Sequence, residues 1–181
     1  MEKRKVAVII GSKSDLPQCL VGLRVLENSQ KQEEITIMAN DVLVSSIHRA
    51  TRETLDFLTA MSGADQPPDI IITGAGMANH LTGMCDAYLR YCLRDTKIVI
   101  VGVAFYDRTC QDNNLAARLS ISQVPDTQVI YSDDAGTFIG SDGFRRACEF
   151  AIKGELPVLT LPEPKPQERL RFSEAIAIAE R

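Results

Sequence analysis

At 181 residues, with 45% hydrophobic and 24% charged side chains, the chain has the size and balance of one globular domain with a real core. A formal net charge of −4 and a pI of about 5.2 argue against nucleic acid or an anionic membrane as partner. They leave room for a phosphorylated metabolite, because one phosphate needs only local amides and one arginine.

The run Val6–Ile10 is apolar throughout and rich in β-branched residues, as a strand covered on both faces requires. Asp15 is expected to cap the helix that follows, and Pro17 fits its first turn. Leu16, Leu20, Leu23 and Leu26 give that helix an expected buried face reaching to about Ser29. Ile35–Ala39 and Val42–Ser45 read as one extended region with a break at Asn40-Asp41. Thr51 opens another helix, with Leu55, Leu58 and Met61 inward and Gly63 at its end. Asp69–Thr73 is the next strand, with Gly74-Ala75-Gly76 as the turn after it. Leu81 to about Cys92 reads as a helix, and Ile98–Val103 as another buried strand. Phe105–Asn114 is expected to be loop, Leu115–Ile121 a short helix, Val129–Tyr131 a strand and Ser132–Asp142 loop again. Phe144–Ile152 is a helix closed by Gly154, with Phe144, Cys148, Ala151 and Ile152 on its apolar face. This βα rhythm predicts an α/β domain over residues 1–156 with a parallel sheet. Four prolines between Pro157 and Pro166 then force a stiff, extended path. An amphipathic helix follows, so residues 157–181 form an arm whose expected receiver is a neighbouring subunit, the alternative being a helix folded back on its own domain.

The five cysteines are odd in number, widely spaced and without a C-x-x-C pair, which points to a reducing cytoplasm. Cys85 and Cys92, seven apart on one predicted helix, are a poor basis for zinc without further ligands. The charged start Met-Glu-Lys-Arg-Lys looks like the front of a secretion signal, but the apolar run behind it is too short.

Three polar tips follow three predicted strands, and such tips meet at the carboxyl edge of a parallel sheet. Gly11-Ser12-Lys13-Ser14-Asp15 offers amides and hydroxyls for a phosphate, with Asp15 suited to capping or to a sugar hydroxyl. Ser46-Ile47-His48-Arg49 joins an imidazole, which titrates near neutrality, to a fixed positive charge. Gly74-Ala75-Gly76 leaves backbone open to a ligand, and His80 lies four residues beyond. The spacing is not a dinucleotide fingerprint, and the two histidines, even with Asp15, are a weak metal set. A capped turn and two ordinary loop histidines remain the plain alternative.

These blocks resemble the PurE family of purine synthesis. Gly11–Asp15 is similar to its G-S-x-S-D, and Ser46–Arg49 to its S-A-H-R. Gly74–Met84 runs in register with G-A-G-G-A-A-H-L-P-G-M, and Leu119–Pro125 is similar to S-I-V-Q-M-P. The resemblance implies a three-layer, flavodoxin-like α/β sandwich, an octamer with sites at subunit boundaries, and no metal or other cofactor. It implies that Ser12 and Asp15 hold a small phosphorylated ribonucleotide, with Ser46, Arg49, Ala75, Gly76 and Leu81 around it; Gly11 and Gly74 join them on the backbone argument above. It implies His48 as the proton-transfer residue and His80 as its catalytic companion. The implied reaction moves a carboxylate, by way of trapped carbon dioxide, from nitrogen to carbon of aminoimidazole ribonucleotide, or adds carbon dioxide directly. Met77, Asn79 and Thr82 depart from the family pattern, and Met77 and Asn79 are expected beside the base or the carbon dioxide pocket. Those departures keep two other readings open: a carboxylase or decarboxylase of another ribonucleotide or heterocyclic acid, and a non-catalytic nucleotide-binding protein.

Overall fold

The computed structural model describes residues 3–181; Met1 and Glu2, the front of the charged N-terminal run, lie outside them. A parallel sheet forms the centre. Its strands are β1 (Arg4–Ile10), β2 (Ile35–Ile37), β3 (Leu43–Val44), β4 (Ile70–Ala75) and β5 (Val99–Ala104). β1 is flanked by β4 on one side and by β2 and then β3 on the other, so the broken extended region covers one edge in two pieces. The break is a tight turn at Met38–Asn40, where Ala39 and Asn40 take positive φ. Beyond β5, Ile130 and Ile139 make single parallel bridges to Val101 and Ala104. Ser132–Asp142, expected as loop, holds the small hairpin of β6 (Ser132–Asp133) and β7 (Gly136–Thr137).

The strands alternate their side chains between two cores, as the period of two demands. Val6, Val8, Ile10, Ile70, Ile72, Val99, Val101 and Val103 face one layer, where α1 (Leu16–Lys31) packs on α5 (Gly140–Lys153) through Cys19, Leu26, Phe144 and Cys148. Ala7, Ile9, Ile71 and Ile100 face the other, with Leu58 from α2 (Thr51–Ser62) and Leu81 and Cys85 from α3 (His80–Ala87). The fold is a three-layer α/β sandwich.

Several elements differ from their sequence reading. Leu20 is 52% exposed, and the buried face of α1 is Cys19, Gly22, Leu26 and Ser29. Leu16 and Leu23 pack half-buried at the margin of that face, so of the expected apolar residues only Leu20 leaves it, the face being turned toward the smaller residues that pack against α5. The helix expected over 81–92 divides into α3 and a π-helical turn, Tyr88–Cys92. That turn leaves Cys85 buried and Cys92 exposed, so the two do not share a face. It also buries Arg90, which pairs with Asp86 at 3.3 Å and donates to the carbonyls of Asp95 and Ile98. Asp86 accepts in turn from Thr127 and the Gln128 amide, tying α3 to the far edge of the sheet. α4 (Gln111–Ser122) begins four residues earlier than expected.

Past α5 the chain first stays on its own domain. Leu159 is buried in the α1–α5 core, Gln128 exchanges hydrogen bonds with Thr160, and Arg94 donates to Pro162. α6 (Phe172–Ala179) has no buried residue, and Phe172 is 85% exposed. Among the described residues, no helix is long and apolar enough to cross a membrane.

Candidate functional site

Hydrogen bonds at the strand ends align three loops. The Ser45 amide donates to Ile10, the Gly11 amide to Gly74, and the Phe105 amide to Ala75, each at 2.8–2.9 Å. The tips after β1, β3 and β4 therefore emerge side by side at the carboxyl edge. Gly11 permits this closeness, since a Cβ there would lie 2.8 Å from that of Ala75.

Together the tips enclose an open cleft of about 440 Å³. Of the residues singled out in the sequence, Gly11, Ser12, Asp15, Ser46, His48, Arg49, Ala75, Gly76, His80 and Leu81 line it. Gly74 is the exception and corrects the sequence reading. It lies inside β4, buried, and its missing side chain makes room for the Phe105 ring, which a Cβ would approach to 2.6 Å. The strand runs two residues further than its β-branched run shows, so the turn starts at Gly76. Ser14, Ile47 and Ala78 also line the cleft and were not singled out. Ser14 carried a usable signal, as the second hydroxyl of the first loop.

Each wall has its own polar chemistry. Ser12 caps the short turn Lys13–Asp15, its Oγ accepting from the Ser14 amide and lying 2.8 Å from Ser14 Oγ. Asp15 occupies the capping position of α1 without making a side-chain cap bond, contrary to expectation. Its carboxylate turns across the cleft; burial pushes its pKa up, and the hydrogen bond from the Gly76 amide draws it partly back. Asp15 thus links the first loop to the third. On the second loop Ser46 accepts from the Arg49 and Ala50 amides, which presents His48 and Arg49 outward at the start of α2.

The two histidines meet. His48 Nε2 lies 2.8 Å from His80 Nδ1, with ring centroids 4.9 Å apart in an edge-on arrangement. They form a wall shared with a second, larger and mainly apolar groove of about 830 Å³, bounded by Met84, Leu119, Val124 and Pro125. Among the described residues, no three or more His, Cys, Asp or Glu side chains gather where a metal ion could be held.

The departures from the family pattern separate. Met77 stands on the cleft rim, 62% exposed, with φ of 54°, a left-handed backbone that costs a branchless side chain about 1 kcal/mol or more. Asn79 does not face the cleft. It is fully buried and caps α3, accepting from the Thr82 amide at 3.1 Å and hydroxyl at 3.0 Å and donating to the Val103 carbonyl at 2.9 Å. Thr82 continues to Thr73 at 2.9 Å. Asn79 and Thr82 are therefore one hydrogen-bonded unit beneath the site, not two changes in a ligand pocket.

A parallel α/β sandwich with a polar cleft at its carboxyl edge and a histidine pair on the cleft wall defines a flavodoxin-like protein built for a small anionic ligand. The AIR carboxylase family model matches residues 5–131, and the chain belongs to that family. It is similar to the N5-carboxyaminoimidazole ribonucleotide mutases of Pyrococcus abyssi and Pyrococcus horikoshii. Each is 28% identical, over 92% and 94% of this chain respectively and 80% of the relative's length. The mutase of Aliivibrio fischeri is 31% identical over 67% of this chain and 64% of its own length.

Proposed function

We propose that this chain is an enzyme of purine biosynthesis that transfers a carboxylate on aminoimidazole ribonucleotide, converting the N5-carboxy compound to the 4-carboxy compound. The family membership supports the reaction class, as do relatives that carry the mutase name over most of this chain. The observation that carries the site is the convergence of three loop tips on one cleft whose wall is the His48–His80 pair.

In this reading Ser12, Ser46 and the backbone of Gly11, Ala75 and Gly76 bind the ribotide, and Arg49 compensates its phosphate. Asp15 meets a sugar hydroxyl, and Leu81 supports the base. His48 gives a proton to the nitrogen as its carboxylate leaves as carbon dioxide. The ring carbon then attacks the trapped carbon dioxide, and His48 takes the proton that this carbon sheds, so that no proton is gained or lost overall. The site works in the cytoplasm, in keeping with five free cysteines, three of them buried.

We also propose that the enzyme is a homo-oligomer, an octamer, in which the arm over residues 157–181, held to its own domain as far as Pro162, packs its helix on a neighbouring subunit. The apolar side chains that α6 leaves uncovered, Phe172, Ile176 and Ile178, support this.

The test is direct. The protein is incubated with aminoimidazole ribonucleotide plus bicarbonate, and separately with the N5-carboxy compound, and the 4-carboxy product is followed by absorbance. The second assay should show turnover, and His48→Asn should remove it by a factor of at least about 10² without unfolding the protein. Absence of product in both assays would refute carboxylate transfer. Near-normal turnover in the variant would refute the role of His48.

A further inference from the structure

The His48–His80 contact constrains where protons can sit. A hydrogen bond between two imidazole nitrogens holds one proton, so one ring must donate and the other accept. His48 commits Nε2 to this bond, which leaves Nδ1 for a substrate. His80 commits Nδ1. His80 is also the first residue of α3, at the positive end of the helix dipole, which disfavours added positive charge.

We infer that His80 is a positioning residue that acts through His48: its Nδ1 accepts the Nε2–H of His48, so that the outward Nδ1 of His48 is the nitrogen that exchanges protons. This rests on the reading of His48 as the proton carrier. The proton count then closes. At the outset His48 is an imidazolium, with one N–H directed to His80 and the other to the cleft. It gives the outward proton to the leaving nitrogen and becomes neutral. His80 continues to accept from Nε2, so the neutral ring keeps its remaining proton there and leaves Nδ1 bare. That bare nitrogen takes the proton lost by the ring carbon, and the imidazolium is restored. Without the acceptor, neutral His48 is free to carry its proton on Nδ1, where it blocks the second step. A second proton on His80 would sit at the positive end of the α3 dipole and would remove the acceptor.

The experiment exploits the presence of only two histidines, which makes ring-nitrogen NMR assignable. In the wild-type protein with ¹⁵N-labelled histidine, neutral His48 should give the signature of a single tautomer protonated at Nε2. In His80→Phe, which keeps a flat ring without nitrogen, that signature should give way to a mixture of tautomers. kcat should fall about 10²-fold while KM stays within about threefold. His80→Asn, whose amide oxygen can still accept, should preserve the tautomer and recover part of kcat. An unchanged His48 tautomer in His80→Phe would overturn the inference, as would a raised KM with intact kcat. The tautomer is read without substrate, so a wild-type protein that fails to turn over sinks the proposed reaction while the NMR comparison still decides the role of His80.

Discussion

Replacing Asn79 by alanine separates a structural role from a role in the ligand pocket. The side chain is buried and makes three hydrogen bonds, to the Thr82 amide, the Thr82 hydroxyl and the Val103 carbonyl. Losing the helix cap costs about 1 kcal/mol. The Val103 carbonyl would also lose a buried partner, which adds about 1–3 kcal/mol. Thr82 Oγ keeps Thr73, so its loss is partial. The sum is about 2–4 kcal/mol, which for a chain of this size lowers the melting temperature by roughly 5–15 °C. The assay is thermal and urea denaturation at one fixed protein concentration, because assembly shifts apparent stability. Steady-state kinetics run alongside, below the melting transition. The expected pattern is a large loss of stability with KM little changed. A variant that melts within about 2 °C of the wild type but shows an altered KM would return Asn79 to the pocket and refute the reasoning.

Arg49→Ala should raise KM by roughly 10- to 100-fold with a smaller effect on kcat, since in the proposed binding mode it removes a charge-assisted contact to phosphate; an unchanged KM in steady-state kinetics would contradict this. Removing residues 163–181, beyond the contacts of Leu159, Thr160 and Pro162 with their own domain, should shift the assembly to smaller species while the domain stays folded. Light scattering that reports an unchanged mass per assembled subunit would rule out the arm. Asp107 is held well below the usual carboxylate range, at about 2, by hydrogen bonds from the Thr109 side chain, Asn113 and the Thr109 amide. A depressed folded-state pKa means that its stabilisation is present in full above the unfolded value of about 3.9 and is lost as pH falls toward about 2. Asp107→Asn should therefore destabilise the protein at neutral pH and flatten the acid limb of its stability curve. An unchanged acid limb would count against that hydrogen-bonded loop.

The sequence carried most of the fold because local pattern and global architecture agree. Uninterrupted apolar runs such as Val6–Ile10 and Ile98–Val103 have no stable place except a sheet covered on both faces. The polar residues directly after such runs must emerge at the carboxyl edge, which is why Ser12, Ser46, His48 and His80 were legible as one site. Chain-distant geometry was not legible. Leu20 and Cys19 are equally compatible with an amphipathic helix, and only docking on α5 chose between them. Gly74 and Gly76 look alike in sequence, yet the Phe105 ring claims the space above one and the cleft takes the other. Asp15 could cap its own helix or reach the Gly76 amide, and the distance between two loops settled that. Asn79 was misread for the same reason, because its partners Thr82 and Val103 become neighbours only when α3 lies over β5. Composition and periodicity act through burial, which each residue expresses by itself. A hydrogen bond such as that between His48 and His80 needs two groups brought together within about 3 Å, and only the folded chain can do that.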